Sequence, residues 1–496
     1  MGNPTLLAID QGTTSSRAIL FSQAGEVLDI QQKELPLYYP QKGWVEQRPD
    51  DMWNDVRDCC TKMLNQAAQR PVAIGITNQR ETTIVWDRKT GESVYNAIVW
   101  QDRRTAELCK VLKNQGHEPV IASKTGLLLD PYFSATKLVW ILDNVPGVRA
   151  RAEAGELAFG TVDCYLLWKL AGGAVHSTDA TNASRTMLYN IVEQQWDTAL
   201  LALFNIPVSL LPEVKDNISA FGITDERVLG VAIPISGMAG DQQAALIGQG
   251  CLKPGMVKST YGTGCFALMN IGAEFKQSKN RLLTTAAYRI DGKMTYAIEG
   301  SIFAAGAAIQ WLRDGLGLFS HASESEALAI SVKDSNEVYF VPAFTGLGAP
   351  YWCPHAKAMI MGLSRESTQA HIVRAALEAQ AYQTLDLMGA MRADSEHDPD
   401  VIRADGGLVA NKFICQFLAD MLGFSIEVPK VTEAAAWGAA ALAGVQVGVF
   451  SSVEEVAESW RAEKIYKPKM DVSQREKLYA GWGEAVAMLT KGGGDK

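Results

Sequence analysis

The chain opens on a short apolar run, Thr5 to Ile9, breaks at the polar turn Asp10-Gln-Gly-Thr-Thr-Ser-Ser16, and turns apolar again over 17–21. So short a polar interruption predicts a β-hairpin rather than a strand-to-helix crossover. A further pair of short strands is expected at 72–77 and 82–86, around the polar run Asn78-Gln-Arg-Glu81. Helical periodicity places helices near 136–142, 242–247, 304–312, 369–390 and 434–443. Strand and helix signals alternate, which is the α/β pattern. Halfway along, Met256 to Asn270 repeats the opening: apolar strand, Gly-Thr turn, apolar strand. Two hairpins half a chain apart suggest duplicated domains, 1–250 and 251–496, divided in the Gly- and Pro-bearing stretch 248–255. The tail after Ala487 is expected to fray.

Length supports the two-domain reading, since 496 residues exceed the ~250–300 at which single cores stop growing. A net charge of −9 argues against nucleic acid as the main partner, because that binding needs a basic surface to displace counterions. Eight scattered cysteines form no CxxC pair, so neither a zinc site nor a disulfide framework is indicated and a reducing compartment is the simpler setting. The N-terminus has no basic segment leading into an apolar stretch, and no apolar run reaches the ~18 residues of a membrane span. A cytoplasmic location is expected.

The chemistry-bearing stretches come next. A turn dense in Gly, Thr and Ser lets backbone N–H groups and hydroxyls approach an anion, which makes Thr13, Thr14 and Ser15 phosphate-binding candidates, with Arg17 as a planar cation beside them. Asp10 could hold Mg²⁺ through water, since Mg²⁺ dehydrates reluctantly. The alternative is a plain polar hairpin. The second turn, Thr260-Tyr-Gly-Thr263-Gly264, offers the same donors for the other side of a triphosphate. It loosely matches a dinucleotide fingerprint, but its glycines lead into the strand-like Phe266-Ala-Leu-Met rather than a helix. The sequence has no GxxxxGK[ST], so a P-loop is excluded, and the protein-kinase motif set is missing.

Asp405-Gly-Gly407-Leu-Val-Ala-Asn411 reads as a glycine-bearing turn for a flat or anionic ligand, or as an ordinary strand-to-helix turn. Asp241, at the head of an Ala-rich helix, is either an N-cap or a general base for an attacking hydroxyl. Arg80-Glu81 is either an exposed ion pair or a polyol clamp that pairs neighbouring hydroxyls. Trp100, Tyr132 and Phe266 either fill a core or face the C–H side of a polyol.

Taken in order, these elements resemble the FGGY carbohydrate kinase family. The stretch Tyr132 to Asn144 is similar to its first signature, and Ala358 to Leu363, continuing through His371 to Glu378, to its second. Asn78 to Thr83, Trp100 to Arg104, Ala239 to Ala245 and Phe344 to Trp352 resemble the branch that phosphorylates glycerol, and the likeness runs from Thr5 past Gly444. The resemblance implies two ribonuclease-H-like domains of the actin and hexokinase type, with ATP and substrate in the cleft between them. It implies glycerol contacts from Arg80, Glu81, Tyr132, Asp241 and Gln242. It also implies ATP contacts from Thr13, Thr263, Gly306, Gln310, Gly407 and Asn411. Asp10 would lie near Mg²⁺, with Asp241 as base and also near the metal. Family members are often dimers or tetramers. The stretch 224–231 lacks the Gly-Gly-x-Arg loop through which some members bind a sugar bisphosphate, and 216–222 has no His of the kind phosphorylated in others. Neither control is implied here.

Overall fold

The computed structural model describes residues 3–351, 353 and 355–491. Its first sheet uses β1 (Thr5–Gln11), β2 (Ser15–Ser22), β3 (Val27–Glu34), β4 (Ala73–Asn78), β5 (Ile218–Ile223) and β6 (Pro234–Gly240), in the order β5-β6-β4-β1-β2-β3. β1 runs antiparallel to β2 as the hairpin reading predicts, and parallel to β4. The second sheet uses β7 (Met256–Tyr261), β8 (Cys265–Gly272), β9 (Leu283–Ile290), β10 (Lys293–Ile302), β11 (Val401–Asp405), β12 (Ser425–Pro429) and β13 (Ala462–Tyr466). Its order, β9-β10-β8-β7-β11-β12-β13, contains the same five-strand core: β10-β8-β7-β11-β12 matches β3-β2-β1-β4-β6 in order and direction. The duplication suspected from the repeated hairpin is therefore a duplication of whole ribonuclease-H-like sheets. A turn at 249–255 joins helix Asp241–Gly248 to β7.

β1 is buried at every position and covered on both faces, which is why Leu6 to Ile9 is an unbroken apolar run rather than an alternating one. Leu7, Ile9, Ile74 and Met238 face helices Pro49–Gln66 and Val162–Leu170. On the other face, Leu6, Ala8, Ile19 and Ala73 meet Ala436, Trp437, Ala440 and Ala443 of helix Ala434–Gln446, from the far half of the chain. The exchange is reciprocal: Leu246, from helix Asp241–Gly248 in the first half, packs on Leu268 and Ala297 of the second sheet. The two exchanged helices touch through glycine. A Cβ on Gly438 would lie 1.9 Å from the Ala244 carbonyl oxygen, and one on Gly248 would lie 2.0 Å from that of Ala434. Backbone approaches this close exclude a side chain.

Two expectations change. Strands 73–78 and 84–87 both form but do not pair: β4 is central in the first sheet, while Ile84–Asp87 pairs with Leu157–Gly160. The intervening Arg80-Glu81 segment swings the chain out of the sheet, so the local pairing that proximity suggests cannot form. The tail does not fray at Ala487, because helix Val472–Lys491 continues through it; 492–496 lie outside the described residues, as does Trp352. Among the described residues no helix is long and apolar enough to cross a membrane.

Candidate functional site

Asp10 is the next-to-last residue of β1 and lies across the hairpin from Arg17. Arg17 Nε donates to Asp10 at 3.1 Å, Nη2 bonds the same carboxylate oxygen, and Nη1 donates to Glu433 at 2.7 Å. Arg17 is thus held between two carboxylates. In the turn between, Gly12 N bonds Ser15 O at 2.9 Å, leaving Thr14 exposed. The Thr13 hydroxyl accepts from Trp100 Nε1 at 3.0 Å.

β6 delivers Asp241. Gly240 N donates to Thr181 Oγ1 at 3.0 Å, and Thr181 N donates to buried Asp179 at 2.7 Å, which fixes the strand end. Gly240, not Asp241, is the N-cap of the following helix. The Asp241 carboxylate accepts from Gln242 N at 2.7 Å and lies 3.3 Å from Arg80 Nε, with its side chain 35% exposed. Burial pushes its pKa up; Arg80 and Lys258 pull it down, and Asp10 is close enough to push it up further. Asp10 and Asp241, distant in sequence, therefore share one electrostatic environment.

Arg80 and Glu81 converge because Glu81 takes a left-handed backbone, φ 60°. That sharp turn brings neighbouring side chains to one side, and both are buried, unlike an exposed ion pair. Tyr132, Trp100 and Phe266 come together half-buried: Trp100 lies 5.6 Å from Tyr132 and 6.4 Å from Phe266, ring centre to ring centre, both edge-on. Phe266 belongs to β8, so this aromatic group is assembled from both domains. Lys137 secures the Tyr132 turn by donating to the carbonyls of Pro131 at 2.5 Å, Tyr132 at 2.6 Å and Phe133 at 3.1 Å. Burial lowers the pKa of Lys137 to about 8.

The second domain contributes a compact set around the second hairpin. Thr263 O accepts from Ala305 N at 2.9 Å and Ala307 N at 3.0 Å, and Gly306 N bonds Gly262 O at 2.9 Å. Gly406, at φ 93°, approaches Tyr261 so closely that a Cβ would lie 2.4 Å from its carbonyl oxygen, and Gly407 follows, exposed. Gln310 is exposed one turn along the helix that Gly306 begins. Asn411 caps helix Lys412–Leu422 by accepting from Ile414 N at 3.2 Å, and its amide donates to Ser325 at 3.3 Å. The strand-to-helix reading thus describes its present bonds.

Sequence reasoning missed three buried charges that hold this arrangement. Lys258, on β7, donates to Gln242 Oε1 at 2.5 Å. Glu299, on β10, takes both terminal nitrogens of Arg80, at 2.6 and 3.0 Å. Arg185 donates to Glu81 at 2.6 Å and to Glu299 at 2.9 Å. No local motif marks them; only the three-dimensional pairing does.

Comparisons with known proteins bear on the family and the fold. The N-terminal domain model of the FGGY family of carbohydrate kinases matches residues 5–248, and the C-terminal domain model matches 257–447. A glycerol kinase of Nitrosomonas eutropha is 65% identical, over 98% of each chain. The crystal structure of Plasmodium falciparum glycerol kinase with ADP superposes at a TM-score of 0.95 with 35% identity, covering 98% of both chains. A xylulose kinase from Lactobacillus acidophilus shares the fold, with a TM-score of 0.89 at 22% identity over 99% of both. With two family domains that together span most of its length, this chain belongs to the FGGY family of carbohydrate kinases.

Proposed function

We propose that this protein transfers the γ-phosphoryl group of ATP to a terminal hydroxyl of glycerol, giving ADP and sn-glycerol 3-phosphate. The observation that carries the reading is the Asp241 carboxylate, open to the cleft 3.3 Å from Arg80 Nε, beside Glu81 and an aromatic group drawn from both domains. Near full-length similarity to glycerol kinases supports the choice of acceptor. Arg80, Glu81 and Gln242 pair with the hydroxyls, while Trp100, Tyr132 and Phe266 cover the C–H surface. Burial keeps the Tyr132 phenol protonated, hence a donor. Asp241 accepts the proton of the attacking hydroxyl as transfer proceeds, a modest demand because little deprotonation precedes a loose transition state.

ATP phosphates lie between the turns 12–15 and 262–264, with Thr13, Thr14, Ser15 and Thr263 as donors and Arg17 as the neighbouring cation. Gly306, Gln310, Gly407 and Asn411 form the nucleoside side. The donor set suits Mg²⁺: Asp10 and Asp241 offer hard oxygens, and no cluster of three metal-ligating side chains occurs among the described residues. That fits an ion that keeps most of its waters and takes the rest of its ligands from phosphate. Held there, Mg²⁺ would neutralise charge on the transferred group. The proposal includes the division into domains at 250/251, a cytoplasmic location suited to eight free thiols, and a homo-oligomeric assembly.

A panel of polyols, ketoses and sugar acids, read by ADP release, tests the assignment. Glycerol should give the highest kcat/KM; a faster ketose or sugar acid would move the protein to another branch of the family.

A further inference from the structure

We propose that Glu299 and Arg185 are positioning residues of the polyol clamp, so that the second domain fixes the orientation of Arg80 and Glu81 on the first. This rests on the clamp reading above.

Both terminal nitrogens of Arg80 are engaged by Glu299, Nη1 at 2.6 Å and Nη2 at 3.0 Å, and Nη1 also reaches Gln243 at 3.2 Å. A guanidinium is planar, so a two-point grip on one end fixes the direction of the other. The remaining edge, Nε, then faces Asp241 at 3.3 Å and Glu81 at 3.8 Å. Arg185 repeats the device for Glu81. Its Nε donates to Glu81 Oε1 at 2.6 Å and its Nη2 to the Glu299 Oε1 that Arg80 already uses, at 2.9 Å. Its third nitrogen, Nη1, is buried with no hydrogen-bond partner among the described residues, the guanidinium lying 5.6 and 5.3 Å from the Tyr132 and Phe133 ring centres. The fold tolerates that orphan donor while placing the other two nitrogens.

The four side chains are at most 2% exposed, two cations against two anions. A buried ion-pair cluster is weak evidence for stability, since apolar residues of similar volume do as well. Its position is what gives it meaning. Glu299 lies on β10 of the second sheet, 219 residues from Arg80, and joins the domains directly behind the residues that would read hydroxyls. A clamp oriented from the opposite domain is complete only when the domains are together, which ties selection of the acceptor to cleft geometry.

The test compares Glu299→Gln with the parent, using the full chain and measuring kcat, KM for glycerol and KM for ATP. Misorienting the clamp should raise KM for glycerol by about 10- to 100-fold, the scale of a small misplacement in a site, with KM for ATP nearly unchanged. Arg185→Lys, which cannot make the two-edged grip, should show the same split in KM. Calorimetric ADP binding reports whether each variant is folded; should Glu299→Gln fail it, Glu299→Asp must show the split instead. Equal changes in both KM values, or none, would overturn the inference. Glu81→Ala, run alongside, separates the two levels. If it spares glycerol use, the clamp reading falls. If it abolishes glycerol use while the Glu299 and Arg185 variants behave normally, only the positioning role falls.

Discussion

Lys258 reaches from β7 of the second domain to the side-chain oxygen of Gln242, beside Asp241 in the first, at 2.5 Å. The lysine is fully buried, which lowers its pKa against the pull of Asp405 and Asp241. It therefore acts on the proposed base in two ways, by holding the neighbouring amide and by placing a positive charge nearby. Lys258→Met keeps the volume and removes both. Without that cation the Asp241 pKa should rise, and the acid limb of the kcat profile should move to higher pH. An unmoved limb would remove Lys258 from the electrostatics of the base.

Asp241→Asn keeps the shape of the helix start and discards the acceptor. Because Gly240 rather than Asp241 caps that helix, the substitution should leave the fold intact. We expect kcat to fall by ~10²–10⁴, the usual contribution of a general base, with ADP affinity and melting temperature close to those of the parent. Near-normal turnover in a coupled ADP assay would take the proton-accepting role away from Asp241.

The parts of this site that were legible in the sequence are those written in a local stretch of chain. The two Gly-Thr hairpins announce themselves by a polar break between apolar runs, and both form between paired strands. Arg80-Glu81 could be singled out, but not the left-handed turn at Glu81 that makes the pair converge. Lys258 and Glu299 are invisible at that level. Each is a charged residue inside a strand with no motif around it, and its partner is supplied by the other domain. The exchange of helices between sheets was hidden for a related reason: helix Ala434–Gln446 is apolar all round, so its pattern announces burial without saying against what.

His176 should make stability depend on pH well away from the cleft. Its ring is held by the Phe159 carbonyl at 2.9 Å and the Arg88 guanidinium at 3.1 Å, an arrangement that suits the neutral ring. Burial, aided by Arg88, lowers its pKa from 6.5 to about 4. The unfolded chain therefore binds this proton more readily than the folded one. The histidine's share of stability is complete above pH ~6.5 and is lost as pH falls towards ~4. His176→Gln, which retains a donor and an acceptor, should flatten the fall of melting temperature across that window and leave activity at neutral pH unchanged. A parallel fall in parent and variant would mean that His176 titrates normally.

Gly438 tests whether the exchanged helices need their close approach. A Cβ there would lie 1.9 Å from the Ala244 carbonyl oxygen, a backbone atom that cannot rotate away, so Gly438→Ala must push the two helices apart. Overpacking of this kind costs about 1–3 kcal/mol, and it outweighs the gain alanine normally brings to a helix interior. The helix it displaces begins at Asp241, so kcat should drop together with the melting temperature. Gly389→Ala is the control: it too is helical, and its added Cβ would meet nothing within 4 Å. That variant should melt at or above the parent's temperature, by up to about 1 kcal/mol of added stability, with unchanged turnover. If both variants gained stability alike, the glycine contact would not be what sets the spacing between the exchanged helices.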